Sequence, residues 1–198
     1  MTGETIILAS RSASRRAMLE AAGVAHQAIP AEVDERALEA QLSEAAPDTV
    51  ALALSHAKAA AVADIHPDRL VLGSDSLVVV AGRRFDKPRS REEAAEHLTF
   101  FSGKALELHS AAALVRGTER RWHHADCARL KVRELSQDFI RHYLDCEWPA
   151  VGYTVGCFRI EAMGVQLFES IEGDQFTVLG MPLLPVLGAL RDEGVLFA

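Results

Sequence analysis

The stretch Leu70-Val71-Leu72-Gly73-Ser74-Asp75-Ser76-Leu77-Val78-Val79-Val80 decides the fold. Apolar, largely β-branched runs flank a small polar tetrapeptide, so both flanks read as buried strand. Asp75 stands where the pattern otherwise wants full burial. An ionised carboxylate there is costly unless it meets a metal, a cation or a substrate, which makes Asp75 the first candidate functional residue. Gly-Ser-Asp-Ser is also good turn chemistry, and a turn between two strands is the competing reading.

Working outward, Thr5-Ile6-Ile7-Leu8-Ala9 is a short apolar run ending in small polar residues, hence a second buried strand. A helix follows over about 13–22, closed by Gly23. Asp48-Thr49 opens an Ala-rich helix to about Asp64, and Pro67 forbids its continuation. Ser90-x-x-Glu93 is a capping box that starts a helix to about Phe101, stopped by Gly103. Further strands are expected over 106–115 and 128–132. Ser136 caps a helix with Phe139, Ile140, Tyr143 and Leu144 on one face, ending before Pro149. Short strands and a Pro182-initiated helix to about Arg191 complete the chain. This alternation predicts an α/β protein with a mixed twisted sheet and flanking helices.

At 198 residues the chain suits one domain, or one divided into two lobes. Its 49% apolar and 25% charged residues are those of an ordinary globular protein rather than a disordered one. The net charge of −7 argues against a nucleic-acid polymer as partner, because phosphate backbones are bound by basic surfaces. No apolar run reaches the ~18 residues of a membrane span, and the acidic start is unlike a secretory signal. Cys127, Cys146 and Cys157 are odd in number and lack C-x-x-C spacing, so no disulfide framework or zinc knuckle is indicated. A soluble, cytoplasmic protein is the expectation.

The positive charge is concentrated. Residues 11–16 carry Arg11, Arg15 and Arg16, and residues 83–91 carry Arg83, Arg84, Lys87, Arg89 and Arg91, so 8 of 21 Lys and Arg fall within 15 residues. The first cluster lies where a buried strand turns into a helix. Free backbone N–H groups and the helix dipole favour an anion there, and Ser10, Ser12 and Ser14 add hydroxyls, so the segment reads as a phosphate cradle or as a solvated helix face. Glu32, Asp34 and Glu35 read as a solvated acidic loop or as a hard-cation site with oxygen ligands. Lys58, among apolar neighbours, either snorkels or pairs with an anion. His123-His124 with Cys127 reads as a surface loop. The glycines from Gly152 to Gly180 do not form G-x-G-x-x-G, and no G-x-x-x-x-G-K-[ST] is present, which excludes a dinucleotide fold and a P-loop.

Together these segments resemble the Maf family of nucleotide pyrophosphatases nearly end to end. The family's L-A-S-x-S-P-x-R-R-x-x-L stands here as Leu8-Ala9-Ser10-Arg11-Ser12-Ala13-Ser14-Arg15-Arg16-Ala17-Met18-Leu19, with Ala13 in place of the proline. Asp34-Glu35 matches its acidic pair, Lys58-Ala59 its K-A, Gly73-Ser74-Asp75 its G-[AS]-D and Lys87-Pro88 its K-P loop. Ser102-Gly103, Gly173-Asp174 and Val178-Leu179-Gly180-Met181-Pro182-Leu183 match later patterns.

The resemblance implies one domain over 1–198, two α/β lobes around a nucleotide cleft, as in the Maf and ITPase-like fold, and a cytoplasmic homodimer. It implies hydrolysis of a nucleoside triphosphate to monophosphate and pyrophosphate with a divalent cation such as Mg²⁺, Mn²⁺ or Co²⁺. Asp75, Glu35 and Lys87 match catalytic positions, with Glu35 and Asp75 at the metal. Ser10, Arg15 and Lys58 match positions expected to hold the triphosphate. Ser14, Ser76 and Glu161 match the positions that separate family branches. The dTTP/UTP branch usually has Arg, Thr and Gln there, none of which is present, whereas Glu161 and the segment from Phe158 to Phe168 resemble the branch acting on 7-methyl-GTP, from whose usual bulkier residues Ser14 and Ser76 depart. A carboxylate at 161 can accept from the N1–H and N2–H₂ of a guanine edge, which points to a purine. Two rival readings are a nucleotide-binding regulator of septum formation with incidental turnover and, on the basic clusters alone, a phosphomonoester or sugar-phosphate enzyme.

Overall fold

In a computed structural model, described here for residues 4–197, the chain forms seven strands and seven α-helices among the described residues. In order they are β1 (Ile6–Leu8), α1 (Ala13–Ala21), β2 (His26–Ala28), α2 (Glu35–Gln41), α3 (Pro47–Ile65), β3 (Leu70–Val80), β4 (Arg83–Phe85) and α4 (Arg91–Phe101). Then come β5 (Ala105–Arg116), β6 (Glu119–Val132), α5 (Gln137–Glu147), β7 (Phe168–Glu172), α6 (Gln175–Val178) and α7 (Leu183–Asp192). Between α5 and β7 the chain makes three 3₁₀ turns, at Ala150–Tyr153, Val155–Cys157 and Met163–Leu167, so of the short strands expected in the tail β7 is the one that forms among the described residues.

The sheet is mixed, as the alternation predicts. Its order is β2-β1-β3-β5-β6-β7, with β4 also on β3. β1 runs parallel to both β2 and β3, while β3/β4 and β6/β7 are antiparallel. The chain divides into two compact units. The first comprises the described parts of Met1–Ser76, Ser110–Asp126 and Leu179–Ala198; the second comprises Leu77–His109 and Cys127–Val178.

In the first unit, α3 packs on β1 and β3 through Ala59, Val62 and Ala63 against Ile7 and Val71. The helix is Ala-rich because it lies very close to the sheet. A Cβ at Gly73 would overlap the backbone oxygen of Ser55 and stand 2.7 Å from the amide nitrogen of Ala59. In the second unit, Phe85, His97 and Phe101 meet edge-on or tilted, and the Tyr143 hydroxyl donates to the Cys157 carbonyl at 3.0 Å.

Three expectations are corrected. Residues 70–80 form one continuous strand, so the Gly-Ser-Asp-Ser segment is not a turn; Ser74 and Asp75 are buried within it. His123, His124 and Cys127 lie in β6, not in a loop; the first half of that strand is mostly polar and exposed, which hides the strand pattern. The acidic cluster is not a three-carboxylate cation site. Asp34 caps α2, accepting from Ala37 N at 3.0 Å, Glu35 turns to Lys58, and no group of three metal-ligating side chains occurs among the described residues.

Candidate active site

The candidate site is assembled in the first unit from four segments. β1 delivers the chain to Ser10, which Ala9 ties to β3 through its amide on the Leu72 carbonyl at 2.8 Å. The chain then enters α1, whose N-cap Ser12 accepts from Arg15 N at 3.3 Å. Ser10 is buried, and its Oγ accepts from Ser12 N at 3.1 Å and from Arg15 Nη1 at 3.4 Å. A hydroxyl has two acceptor lone pairs and one O–H. Both acceptor positions are taken, so any further bond that Ser10 Oγ makes is donated through its O–H.

On the α3 side of β3, Lys58 Nζ stands 2.5 Å from Asp75 Oδ1 and 3.1 Å from Glu35 Oε1. The Lys58 and Asp75 side chains are only 13% and 9% exposed, whereas Glu35 is 48% exposed. This settles the choice for Lys58: its ammonium pairs with anions. The close approach allowed by Gly73 brings α3 near enough for that pairing. One ammonium between two carboxylates leaves a formal charge of −1, which suits a cation arriving with a polyphosphate.

On the other side of the strand, Arg15 makes a second network. Its Nε donates to the Gly180 carbonyl at 2.9 Å, Nη1 to the Ser74 carbonyl at 2.8 Å and Nη2 to Ser76 Oγ at 3.0 Å. Ser74 Oγ and Ser76 Oγ also donate to the Gly180 carbonyl, at 3.2 and 3.0 Å, and Ser76 Oγ lies 3.0 Å from Ser110 Oγ. Desolvation lowers the Arg15 pKa, opposed by the charges of Asp75 and Glu35. The part played by Gly180 and Ser110 went unseen in the sequence. Gly180 lies within a quoted motif, but nothing local marks its carbonyl as a hub.

Six of the expected residues therefore fall into two joined networks: Lys58, Asp75 and Glu35 in one, Ser10, Arg15 and Ser76 in the other. Ser14 is half-buried in the first turn of α1. Lys87 and Glu161 are exposed residues of the second unit. For a metal, Glu35 and Asp75 supply two carboxylates. That donor set fits a hard cation such as Mg²⁺, which is held by one or two carboxylates with waters and substrate phosphate oxygens completing its shell.

Along nearly its whole length the chain is similar to known proteins. A 7-methyl-GTP pyrophosphatase of Rhizobium etli is 46% identical over 193 residues, covering 96% of this chain and 97% of that protein. A 7-methyl-GTP pyrophosphatase of Rhizobium meliloti is 48% identical over 195 residues, covering 98% of each. A nucleoside triphosphate pyrophosphatase of Granulibacter bethesdensis is 44% identical, covering 96% of this chain and 98% of that one. The profile of the Maf-like protein family matches residues 5–193, and the chain belongs to that family.

Proposed function

We propose that this chain hydrolyses a nucleoside triphosphate to the monophosphate and pyrophosphate. The observation that carries the reading is the buried Asp75 carboxylate, held by Lys58 beside Glu35 in a site that includes the Ser10 hydroxyl. The names of the full-length relatives support it. The single profile match over 5–193 supports reading both units as one Maf domain.

In the proposed reaction a water attacks the α-phosphorus in line. A bond forms between the water oxygen and that phosphorus, the bond to the bridging oxygen breaks, and pyrophosphate departs. Asp75 takes the water proton. Ser10 donates its hydroxyl to a phosphate oxygen, and Lys58 exchanges part of its bonding from the carboxylates to the incoming polyphosphate. Glu35 and Asp75 would hold the divalent cation, which neutralises charge on the phosphates when bound. Lys87 completes the cationic set as the resemblance implies. Glu161 reads a guanine-type edge, in keeping with the relatives named for 7-methyl-GTP. The same reading carries a cytoplasmic homodimer. No described helix is long and apolar enough to cross a membrane.

The test is product analysis on canonical and 7-methylated triphosphates with Mg²⁺, Mn²⁺, Co²⁺ or chelator. Cation-dependent monophosphate plus pyrophosphate, greatest with 7-methyl-GTP, is expected. Orthophosphate release makes the chain a phosphatase, and binding without any product makes it a nucleotide sensor.

A further inference from the structure

The resemblance places Arg15 among residues expected to hold the triphosphate, but its guanidinium is committed elsewhere. Of the five N–H donors of an arginine, four already point at protein acceptors: Ser10 Oγ, the Ser74 carbonyl, Ser76 Oγ and the Gly180 carbonyl. Drawing them onto a phosphate would take from the Ser74 carbonyl the Arg15 donor that it holds at 2.8 Å, and from the Gly180 carbonyl one of its three donors.

The partners have a pattern. Ser74 and Ser76 are the chain neighbours of Asp75. Alternation along a strand places their side chains on one face of β3 and that of Asp75 on the other. Both serine hydroxyls meet Gly180, whereas Asp75 meets Lys58 of α3, so the contacts follow this alternation. Arg15 grips β3 immediately before and after the reactive carboxylate, from the opposite face. Gly180 anchors the grip by receiving three donors on one carbonyl, at a φ of +99° that favours glycine.

We infer that Arg15 is a positioning residue, which holds β3 on both sides of Asp75 through the Ser74 carbonyl and the Ser76 hydroxyl and occupies an acceptor position of Ser10 Oγ, working through the Gly180 carbonyl instead of binding phosphate itself. The inference rests on the reading of Asp75 as the proton acceptor.

The test compares wild type with Arg15→Lys, Ser76→Ala and Gly180→Ala in the full chain. It reads kcat and KM for pyrophosphate release, Kd for a non-hydrolysable α,β-methylene nucleoside triphosphate, and amide exchange at residues 74–76. A positioning role predicts that kcat falls ~10- to 100-fold in Arg15→Lys while KM and Kd stay within about threefold, with faster amide exchange. It also predicts a smaller kcat loss in Ser76→Ala and Gly180→Ala, which leave the Arg15 charge in place. A KM and Kd rise of about tenfold or more in Arg15→Lys, with kcat and exchange unchanged, would overturn it. If Arg15→Lys does not fold, the other two variants decide: unchanged kcat in both refutes the inference. If wild type releases no pyrophosphate, the proposed reaction fails, and Kd with amide exchange still judges Arg15.

Discussion

Lys58 Nζ lies 2.5 Å from Asp75 Oδ1, and it reaches that far because the residue two before Asp75 has no side chain. Gly73 lets the backbone of α3 lie against β3 at a distance that any Cβ would obstruct. The ion pair is thus a consequence of the packing between helix and strand. Its energetic role is less to stabilise the fold than to hold a carboxylate ready in a nearly dry position.

Gly73→Ala should therefore disturb both stability and turnover. The obstructing atoms are backbone, which cannot swing aside, so ~1–3 kcal/mol of overpacking is expected. For a chain of this size that lowers Tm by ~2–4 °C per kcal/mol. Pyrophosphate release should fall with it, since Lys58 is carried on the displaced helix. Gly188→Ala in α7 is the control: nothing lies within 4 Å of the added Cβ, and thermal unfolding should show no loss.

The pH dependence of stability should carry a signature of His97. Burial holds its imidazole below the ordinary value of 6.5, with Glu93 opposing and Arg83 assisting. In the window beneath 6.5 the folded state binds fewer protons than the unfolded state. The contribution of His97 is then complete above that value and is lost as pH falls toward the lowered one. Denaturant midpoints should drop between about pH 7.5 and 5.5. His97→Leu should flatten that drop; an unchanged slope would count against the assignment.

The thiols should separate by burial. Cys127 and Cys146 are exposed, while Cys157 is buried and its thiol is pushed up to about 12, chiefly by desolvation. Disulfide-exchange titration of the native protein should count two thiols at neutral pH, with the third appearing only on unfolding.

Much of this was legible in sequence because short-range patterns set it. Ser12, Ser90 and Ser136 cap the helices that begin beside them, and β1 and β3 are apolar runs. Asp75 stood out because it breaks such a run. The turn reading failed at Gly73 because the glycine serves a close approach of α3 rather than a chain reversal. The first half of β6 was hidden by its exposed polar residues, and β2 and β4 are only three residues each. The bond from Arg15 to Gly180 joins residues 165 positions apart, and no local pattern encodes it.

The most direct measurement is pyrophosphate release from 7-methyl-GTP and GTP by wild type and Asp75→Asn, with folding of both verified by thermal unfolding. The account predicts equimolar monophosphate and pyrophosphate from wild type, and a kcat lowered by ~10²–10⁴-fold in Asp75→Asn at an unchanged fold. Turnover of Asp75→Asn within about threefold of wild type would contradict it, because a missing general base costs far more than that.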